Sequence, residues 1–491
     1  MKILHASSEL HPYSKSGGLA DMVGALTKSL AGAGHQVAVV TPLYRDIRER
    51  FPELRRADLE ISVPLGTRTV SAEVWLIEPT ANQTIYFIEQ PGFYDRAGLY
   101  QENGVDYPDN AERFIFFAKC VVSLARSLPL GPEIVHVHDW QVGLAPLFIR
   151  QEKLQAGWGT APATCLTVHN LAFQGIFPRA KYPLTNLPWD YFNPEGVEFY
   201  GSLSCLKAGI LYADMITTVS PRYAREITTE ALGCGLDGVL RGRQDSLVGI
   251  LNGIDCDEWN TTRNPHLPFP YSPDHLEGKT QCKLALQREL GLPETSAIPL
   301  FGSISRLADQ KGVDIQFGAL EEMLATDMQF VLLGSGSTPY ERAYQNLAQR
   351  FPQKAAVTIG YNHALSHRIE AAADFFLMPS RFEPSGLNQM YSLRYGTIPI
   401  VRATGGLDDS VIDITEDADQ ANGIKFYEYS ARALAKAIRK ALVLFASPQL
   451  LAHYRANGMS ADFSWEKTES KNVEVYEAAL QKSRGRLIPK G

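Results

Sequence analysis

Cysteine is scarce in this chain, and its few cysteines form no paired motif. Six are spread over 491 residues without a C-x-x-C pair, so we expect reduced, mostly buried thiols. The sequence also lacks an apolar run long enough to span a membrane, and its start, MKILHASSEL, is too polar for a signal peptide. These absences predict a cytoplasmic protein with no membrane partner.

Positive charge is also limited. Lysine and arginine total 47 against 54 acidic residues, which gives a formal net charge of −7. A general nucleic-acid binder relies on clustered lysine and arginine, so no nucleic-acid partner is expected. The sequence has neither G-x-G-x-x-G after its first strand nor a glycine loop that ends in Gly-Lys-Ser/Thr, which disfavours a dehydrogenase and a P-loop enzyme. Its length predicts two or three domains.

The stretch from Tyr13 to Leu26, YSKSGGLADMVGAL, places a lysine and two adjacent glycines between a predicted strand and a predicted helix. Apolar residues then recur at three- to four-residue spacing, which indicates a helix ending near Gly32. QVAVVTP follows as a second buried strand, so a parallel α/β sheet begins here. Glycines at a helix start allow backbone N–H groups to approach an anion. The alternative is a tight turn with a solvated lysine.

Strand-like runs alternate with helical ones in both halves of the chain, which predicts two parallel-sheet domains. EIVHVHDW and ATCLTVHN are buried strands of the first half. The predicted strands of the second half are SLVGILNG, IPLFGSISR, MQFVLLGSGS, AAVTIGYN, DFFLMPS and TIPIVRATGG. Since their ends are polar, we expect the strand ends of the two domains to face one another across a deep cleft.

Two cations follow one of these strands. Arg306 and Lys311, in SRLADQKG, are expected on the loop before a helix that begins near Val313. A guanidinium offers a fork of donors and an ammonium offers a point charge, which together suit a diphosphate. The pair could also be ordinary surface cations.

The segment PSRFEPSGLNQM predicts a carboxylate beside a helix start. Glu383 follows a strand and precedes a proline, while Ser385, Gly386 and Leu387 open the next helix. The proline stiffens the turn, and the helix start supplies unpaired N–H groups. Glu383 could therefore bind sugar hydroxyls, or it could cap its own helix.

Polar residues also end two strands of the first half. Asp139 ends VHVHDW, and His169 with Asn170 ends CLTVHN. The histidines of VHVHDW could be mistaken for part of a metal triplet, but alternate residues of a strand face opposite sides. We therefore expect His136 and His138 on one face and Asp139 on the other. The pattern favours polar groups at the carboxyl edge of a sheet, and no metal site is predicted.

Several long motifs resemble those of bacterial glycogen synthases and plant starch synthases. They are, in order, KSGGLADMVGAL, HVHDWQVGLAP, TVHNLAFQG, GILNGID, SRLADQKG, RFEPSGLNQMYSLRYGTIPIVRATGGLDD and FSWEK. The resemblance covers nearly the whole chain. It implies a GT-B fold with two Rossmann-like domains, 1–247 and 248–465, and a C-terminal helix at 466–491 that completes the first domain.

The resemblance implies an enzyme that transfers glucose from ADP-glucose to the non-reducing end of an α-1,4-glucan, with retention at the anomeric carbon. ADP-glucose and the glucan are the implied partners, and no redox cofactor or metal is expected. Retention could follow same-face attack, with the leaving phosphate accepting the proton, or a double displacement. If the source is a plant, the expected compartment is the plastid stroma.

The resemblance also assigns roles to residues. The implied catalytic residues are Lys15, Asp139, His169, Arg306, Lys311 and Glu383. The implied donor contacts are Lys15, Gly17, Gly18, Asn170, Asn252, Arg306, Lys311, Tyr361, Ser385, Gly386 and Leu387. In this scheme the cations hold the diphosphate, Glu383 binds glucose hydroxyls, Tyr361 stacks on adenine, and the Lys15 loop engages when the cleft closes. The His169 backbone is implied near the reacting carbon, and Tyr94, in GFYDRAG, resembles an acceptor-side residue.

The chain departs from the family pattern at Ser385, where the family usually has cysteine. Serine can still donate a hydrogen bond, so we expect function to survive. Two alternatives remain: an enzyme that uses UDP-glucose and a small acceptor such as fructose, and a glucan-binding relative without catalysis. The second alternative predicts loss of the polar residues to which the resemblance assigns catalytic roles, and all six of those residues are present.

Overall fold

The computed structural model describes residues 1–155, 157–159 and 161–485. The chain divides into two compact units. The first comprises Met1–Val219, Ala224–Ile250 and the segment that begins at Trp465, and the second comprises Ser220–Tyr223 and Leu251–Ser464. Within the described residues, every helix is too short or too polar to cross a bilayer.

The main sheet of the first unit is parallel over most of its width. The strands of this unit are β1 (Lys2–Ala6), β2 (Gln36–Pro42), β3 (Arg55–Leu65), β4 (Arg68–Thr80), β5 (Gln83–Glu89), β6 (Gln101–Glu102), β7 (Val105–Asp106), β8 (Ile134–His138), β9 (Ala163–Val168), β10 (Ile176–Pro178), β11 (Glu198–Phe199), β12 (Ser202–Ser204), β13 (Met215–Thr218) and β14 (Leu247–Gly249). The main sheet has the order β14-β13-β9-β8-β1-β2-β5-β4-β3. Only β3, β4 and β5 pair antiparallel within it.

The helices up to residue 250 are α1 (Gly18–Gly32), α2 (Ile47–Arg50), α3 (Pro91–Tyr94), α4 (Asn110–Ser127), α5 (Ala145–Gln155), α6 (Cys205–Tyr212), α7 (Pro221–Glu226) and α8 (Asp237–Arg241). Helix α1 follows the predicted apolar spacing, because Leu19, Met22, Val23, Leu26 and Leu30 are its buried face. Short 3₁₀ turns occupy Trp140–Val142, Arg179–Thr185, Trp189–Tyr191, Gln244–Ser246 and Asp309–Lys311.

The second unit is built on a fully parallel sheet. Its strands are β15 (Leu300–Leu307), β16 (Gln329–Gly336), β17 (Ala355–Ile359), β18 (Phe375–Met378), β19 (Ile398–Arg402) and β20 (Ile424–Phe426), in the order β17-β16-β15-β18-β19-β20. Its helices are α9 (Glu277–Glu289), α10 (Val313–Met323), α11 (Thr338–Arg350), α12 (His363–Ala372), α13 (Asn388–Arg394), α14 (Gly405–Ser410), α15 (Ala431–Phe445) and α16 (Pro448–Ser460). The predicted α/β fold with two Rossmann-like units is confirmed.

One predicted strand lies in the other sheet. SLVGILNG was grouped with the strands of the second half, but β14 pairs parallel with β13 at the edge of the first sheet. The reason is that α7 and α8 form the crossover that returns the chain beside β13, as a β-α-β connection normally does.

The last helix, α17 (Trp465–Gly485), belongs to the first unit. Its buried residues Tyr476 and Ala479 face the sheet, and the helix packs against α1, β9 and β13. The predicted C-terminal helix therefore begins at Trp465, while residues 486–491 of that prediction lie outside the described residues.

Candidate active site

Most predicted site residues follow strands where the strand order reverses. In the second sheet the chain runs from β15 to β16 and β17 on one side, then continues at β18 on the other side of β15. The loops after β15 and β18 therefore diverge and leave a crevice at the carboxyl edge, which is where open α/β sheets bind ligands. Lys311 follows β15 and Glu383 follows β18. In the first sheet, the same reversal places Lys15 after β1 and Asp139 after β8.

Glu383 and Lys311 contact each other directly. Lys311 Nζ donates to Glu383 Oε2 at 2.6 Å, and Ser380 Oγ donates to the same oxygen at 3.1 Å. Glu383 is only 6% exposed. The N-cap of α13 is Leu387, and no side chain caps that helix. The alternative in which Glu383 caps its own helix is therefore not what the structure shows. An ammonium carries three donors, so Lys311 can bind Glu383 and a phosphate together.

Arg306 lies in a strand and not in the loop that follows it. The predicted loop position is wrong because β15 stays paired with β16 as far as Leu307. Arg306 is exposed near the carboxyl end of this strand, and Lys311 ends the 3₁₀ turn that leads to α10. Both cations therefore lie at the same edge of the sheet.

The backbone conformation of the turn before α13 explains why this turn contains a glycine. Gly386 has φ of 66°, and a Cβ there would lie 2.5 Å from Gln389 Oε1. Only glycine adopts this left-handed conformation at little cost. Ser385 is buried and its Oγ donates to the Gly386 carbonyl at 3.3 Å. The helix itself begins at Asn388, immediately after Leu387.

Asn252 and Tyr361 differ sharply in exposure. Asn252 is buried, and among the described residues nothing donates to its Oδ1. A buried acceptor without a donor costs about 1–3 kcal/mol, so a ligand donor would relieve this cost. Tyr361 follows β17 and is 86% exposed, so its ring is available for stacking.

The glycine loop of the first unit is open to solvent. Lys15 Nζ donates to the Asp21 carboxylate at 2.8 Å, and both side chains are partly exposed. A Cβ at Gly17 or Gly18 would meet nothing within 4 Å, and the φ of Gly17, −160°, suits any residue. Neither packing nor backbone conformation in the described chain requires glycine here, which is consistent with the close approach of a ligand.

Glu9 is a residue of this loop that sequence reasoning missed. Its buried carboxylate accepts from Ser16 N at 2.5 Å, from Gly17 N at 3.2 Å and from Tyr100 Oη at 2.7 Å. The Gly17 amide that was expected to bind phosphate therefore already binds a carboxylate. The available signal was an acidic residue in the polar SSEL segment directly after β1.

Asp139 leaves β8 with φ of 60° and ψ of −171°, a backbone conformation that residues with a side chain seldom adopt. Its Oδ1 accepts from His169 N at 2.7 Å. Burial raises the pKa of Asp139 to about 7, although hydrogen bonds from the backbones of His169 and Asn170 oppose the shift. Asn170 Oδ1 in turn accepts from Ala172 N at 3.1 Å. The ends of β8 and β9 are thus joined through the Asp139 carboxylate.

A chain of buried histidines lies beneath His169. His138 Nδ1 and His169 Nε2 are 3.1 Å apart, and His138 Nε2 and His5 Nδ1 are also 3.1 Å apart. Tyr476 Oη lies 3.4 Å from His5 Nε2 and 2.8 Å from His136 Nδ1. The predicted common face is confirmed, since the His136 and His138 rings are 4.3 Å apart. Burial lowers the pKa of His169 to about 3, so its ring is neutral at pH 7.

The ring nitrogens of His5, His136 and His138 are close enough to hold a metal. Each of the six nitrogens already has a hydrogen-bond partner, however, and His136 Nε2 completes the set with Thr167 Oγ1 at 2.6 Å. A metal would have to displace this network. The arrangement therefore acts to fix the His169 ring and to tie it to α17.

Tyr94 is fully buried. Its hydroxyl donates to the Arg113 carbonyl at 3.0 Å, and burial raises its pKa well above the ordinary value. The side chain presents no surface to an acceptor in this structure, so its role on the acceptor side stays a prediction.

Comparisons with known proteins agree over the length of the chain. Residues 2–242 match the starch synthase catalytic domain, and residues 286–457 match the glycosyl transferases of group 1. A glycogen synthase of Anaeromyxobacter dehalogenans (strain 2CP-C) is 46% identical over 97% of this chain and 99% of the relative. Glycogen synthase 1 of Methylococcus capsulatus is 43% identical over 98% and 97%, respectively.

Solved structures give the same result. The catalytic domain of starch synthase IV from Arabidopsis thaliana, bound to ADP and acarbose, matches with a TM-score of 0.86 and 32% identity, over 98% of this chain and 99% of that chain. A sucrose-phosphate synthase from Thermosynechococcus elongatus matches with a TM-score of 0.60 and 18% identity over the same shares, which indicates a common fold alone.

Proposed function

Because the chain belongs to the family of bacterial glycogen synthases and plant starch synthases, and is therefore a glucan-synthesising glucosyltransferase, we propose that it transfers glucose from ADP-glucose to the non-reducing end of an α-1,4-glucan. The observation that carries the donor assignment is the partly buried Glu383–Lys311 pair at the strand-order reversal of the second sheet. It holds a sugar-binding carboxylate and a phosphate-binding cation side by side.

The donor is proposed to lie along the carboxyl edge of the second sheet. Tyr361 stacks on the adenine, Arg306 and Lys311 bind the diphosphate, and Glu383 accepts hydrogen bonds from glucose hydroxyls. Asn252 supplies an acceptor that has no donor within the described chain. The backbone amides of Gly386 and Leu387 assist at the start of α13, and Ser385 supports their turn.

The first unit is proposed to orient the transferred glucose. Asp139, His169 and Asn170 meet at the ends of β8 and β9. In this proposal the His169 backbone lies near the anomeric carbon of the transferred glucose. Lys15 and the loop glycines Gly17 and Gly18 contact the diphosphate, and the Gly17 amide does so by exchanging the Glu9 carboxylate for the ligand.

The reaction breaks the bond between the anomeric carbon and the diphosphate oxygen. Negative charge grows on the diphosphate and positive charge grows on the sugar, so fixed cations beside the leaving group lower the barrier. The acceptor hydroxyl forms the new bond, and its proton passes to the leaving phosphate. Arg306 and Lys311 supply the positive charge that stabilises the leaving diphosphate. The step conserves both the proton count and the net charge without a further reactant.

The proposal is tested by pairing each donor with each acceptor. Purified protein is given ADP-glucose or UDP-glucose with glycogen or fructose, and nucleoside diphosphate release is measured. We expect release mainly with ADP-glucose and glycogen. Release only from UDP-glucose with fructose would replace this proposal with the small-acceptor alternative, and sugar binding without release from any pair would favour a non-catalytic relative.

A further inference from the structure

The buried histidines beneath His169 belong to a longer row of hydrogen-bonded side chains within the first unit. Thr167 Oγ1, which lies 2.6 Å from His136 Nε2, also lies 2.6 Å from Thr217 Oγ1. Strand pairing explains this contact, because Thr167 of β9 is the partner of Thr217 of β13. We call the seven residues the polar row; from its far end to the site they are Thr217, Thr167, His136, Tyr476, His5, His138 and His169.

Each member of the polar row has one hydrogen to donate. Burial raises the pKa of Tyr476 well above its ordinary value, and burial lowers the pKa of His5 and of His169 to about 3. Burial also lowers the pKa values of His136 and His138 well below the ordinary one. A neutral imidazole carries one N–H and one acceptor nitrogen. Seven hydrogens therefore meet six hydrogen bonds, so one hydrogen has no acceptor inside the row.

The unused hydrogen is most favourably placed on His169. The other six members are buried, and a buried donor without an acceptor is strongly unfavourable. At the far end, Thr217 Oγ1 has no acceptor among the described residues other than Thr167 Oγ1. His169 is partly exposed, and the described residues give its Nε2 one partner and its Nδ1 none. A hydrogen on Nδ1 is therefore free to meet water or a ligand.

This placement gives every hydrogen bond of the row one direction. Thr217 donates to Thr167 at the far end, and His138 Nδ1 donates to His169 Nε2 at the site. Between these ends, the Tyr476 hydroxyl accepts from one imidazole and donates to the next. The ring nitrogen of a histidine that carries the proton is set by the hydrogen bond that the other nitrogen makes.

We propose that Tyr476 and Thr167 are positioning residues, which hold His169 as its Nδ1–H tautomer and so present a hydrogen-bond donor at the ends of β8 and β9. Asp139 Oδ1 holds the backbone of the same residue at 2.7 Å, so the first unit fixes both the backbone and the ring hydrogen. Such a donor recognises an oxygen with a free lone pair, as in a sugar hydroxyl. The identity of this ligand rests on the proposed function, in which His169 orients the transferred glucose, whereas the tautomer does not.

The tautomer is measured on the full chain without ligand, by NMR of protein labelled with ¹⁵N in its histidines. The His169 signals are identified by their loss in His169→Gln. We expect Nδ1–H in the wild type. Thr167→Val removes the partner of His136 Nε2, so either direction of the row then leaves one buried nitrogen unpaired, and both tautomers of His169 should appear.

Thr217→Val is the matched control, because it makes the same substitution on the neighbouring strand. Thr167 then becomes the far end of the row and still has no other acceptor among the described residues, so His169 should remain Nδ1–H. With ADP-glucose and glycogen, Thr167→Val should lower turnover by about two- to fivefold, in step with its smaller Nδ1–H fraction, and Thr217→Val should keep the wild-type rate.

The proposal is overturned if wild-type His169 carries its hydrogen on Nε2, or if Thr167→Val leaves the tautomer unchanged, whatever happens to the rate. If Thr167→Val does not fold, Tyr476→Phe gives the decision, because it breaks the row at its centre and should also produce both tautomers. If the tautomers respond as expected while no donor releases a nucleoside diphosphate, the positioning role is supported and the proposed function fails.

Discussion

The two lysines proposed for the diphosphate stand in contrasting surroundings. In the second unit, the Lys311 side chain is 23% exposed and is bonded to the Glu383 side chain, which is 7% exposed. In the first unit, the Lys15 side chain is 47% exposed and is bonded to the Asp21 side chain, which is 34% exposed. An exposed ion pair contributes only about 0–1 kcal/mol, so Lys15 can exchange Asp21 for a ligand at little cost.

The comparison distinguishes two kinds of contact. A prepared contact is already in place before the donor binds, and a recruited contact forms only with the donor. Lys311 is held against Glu383 before any donor binds, and electrostatic stabilisation is strongest when charges are already in place. Lys15 has a free path to solvent, and its neighbours Gly17 and Gly18 leave open space beside the backbone. We therefore expect Lys311 to govern ADP binding and rate together, and Lys15 to act mainly on rate.

The largest effect is expected for the two cations of the second unit. Lys311→Ala or Arg306→Ala should each lower turnover by about a hundredfold or more, because each removes fixed positive charge from the leaving diphosphate. Initial rates with ADP-glucose and glycogen measure this. Arg342→Ala, at an exposed arginine of α11, is the matched control and should keep the wild-type rate. Near-normal turnover of both variants would remove the cations from the mechanism.

Glu383→Gln should lower turnover far more than it weakens ADP binding, since its carboxylate is assigned to the sugar. Loss of one charge-assisted hydrogen bond that strengthens in the transition state costs on the order of 2–4 kcal/mol. Ser380→Ala removes a neutral donor from the same carboxylate and should cost only about 1 kcal/mol. Calorimetry that shows ADP affinity falling in parallel with the rate would move Glu383 out of this role.

Lys15→Ala sharpens the contrast between the units. Turnover should fall by about tenfold or more, while ADP affinity stays within a few-fold of wild type, because this contact forms late. Lys15→Arg keeps the charge and should retain most of the rate. If Lys15→Ala weakened ADP binding as much as Lys311→Ala does, the distinction between prepared and recruited contacts would fail.

The smallest expected effect follows metal removal. In the proposed mode of donor binding, Arg306, Lys311 and Lys15 place positive charge at the diphosphate, so EDTA should change turnover by less than about twofold. Complete loss of rate, restored by a divalent ion, would contradict the account and direct attention to Asp139 and the nearby histidines.

Sequence patterns predicted what depends on local periodicity. The buried face of α1, the parallel strands and the polar residues at their ends follow from apolar spacing and strand chemistry. The pairing of Lys311 with Glu383 joins residues 72 apart, and the contact between His136 and Tyr476 joins residues 340 apart. No local pattern encodes such contacts, since they depend on which strands become neighbours.

Glu9 and β14 show the same limit at shorter range. The glycines of the first loop indicated available amides, but not that the Glu9 carboxylate would bind those of Ser16 and Gly17. The run SLVGILNG indicated a strand, but its partner is β13 of the preceding sheet. In both cases the sequence indicated the residue or the strand, but not the group with which it pairs.

The most direct test of the central claim is the linkage of the product. Protein is incubated with ADP-glucose labelled in the glucose and with glycogen, and the polymer is then digested with β-amylase, which releases maltose from non-reducing ends of α-1,4 chains. We expect the label in maltose, with ADP released in equal amount. Label that stays in a small sugar, or in polymer that β-amylase does not cleave, would contradict transfer to an α-1,4-glucan end.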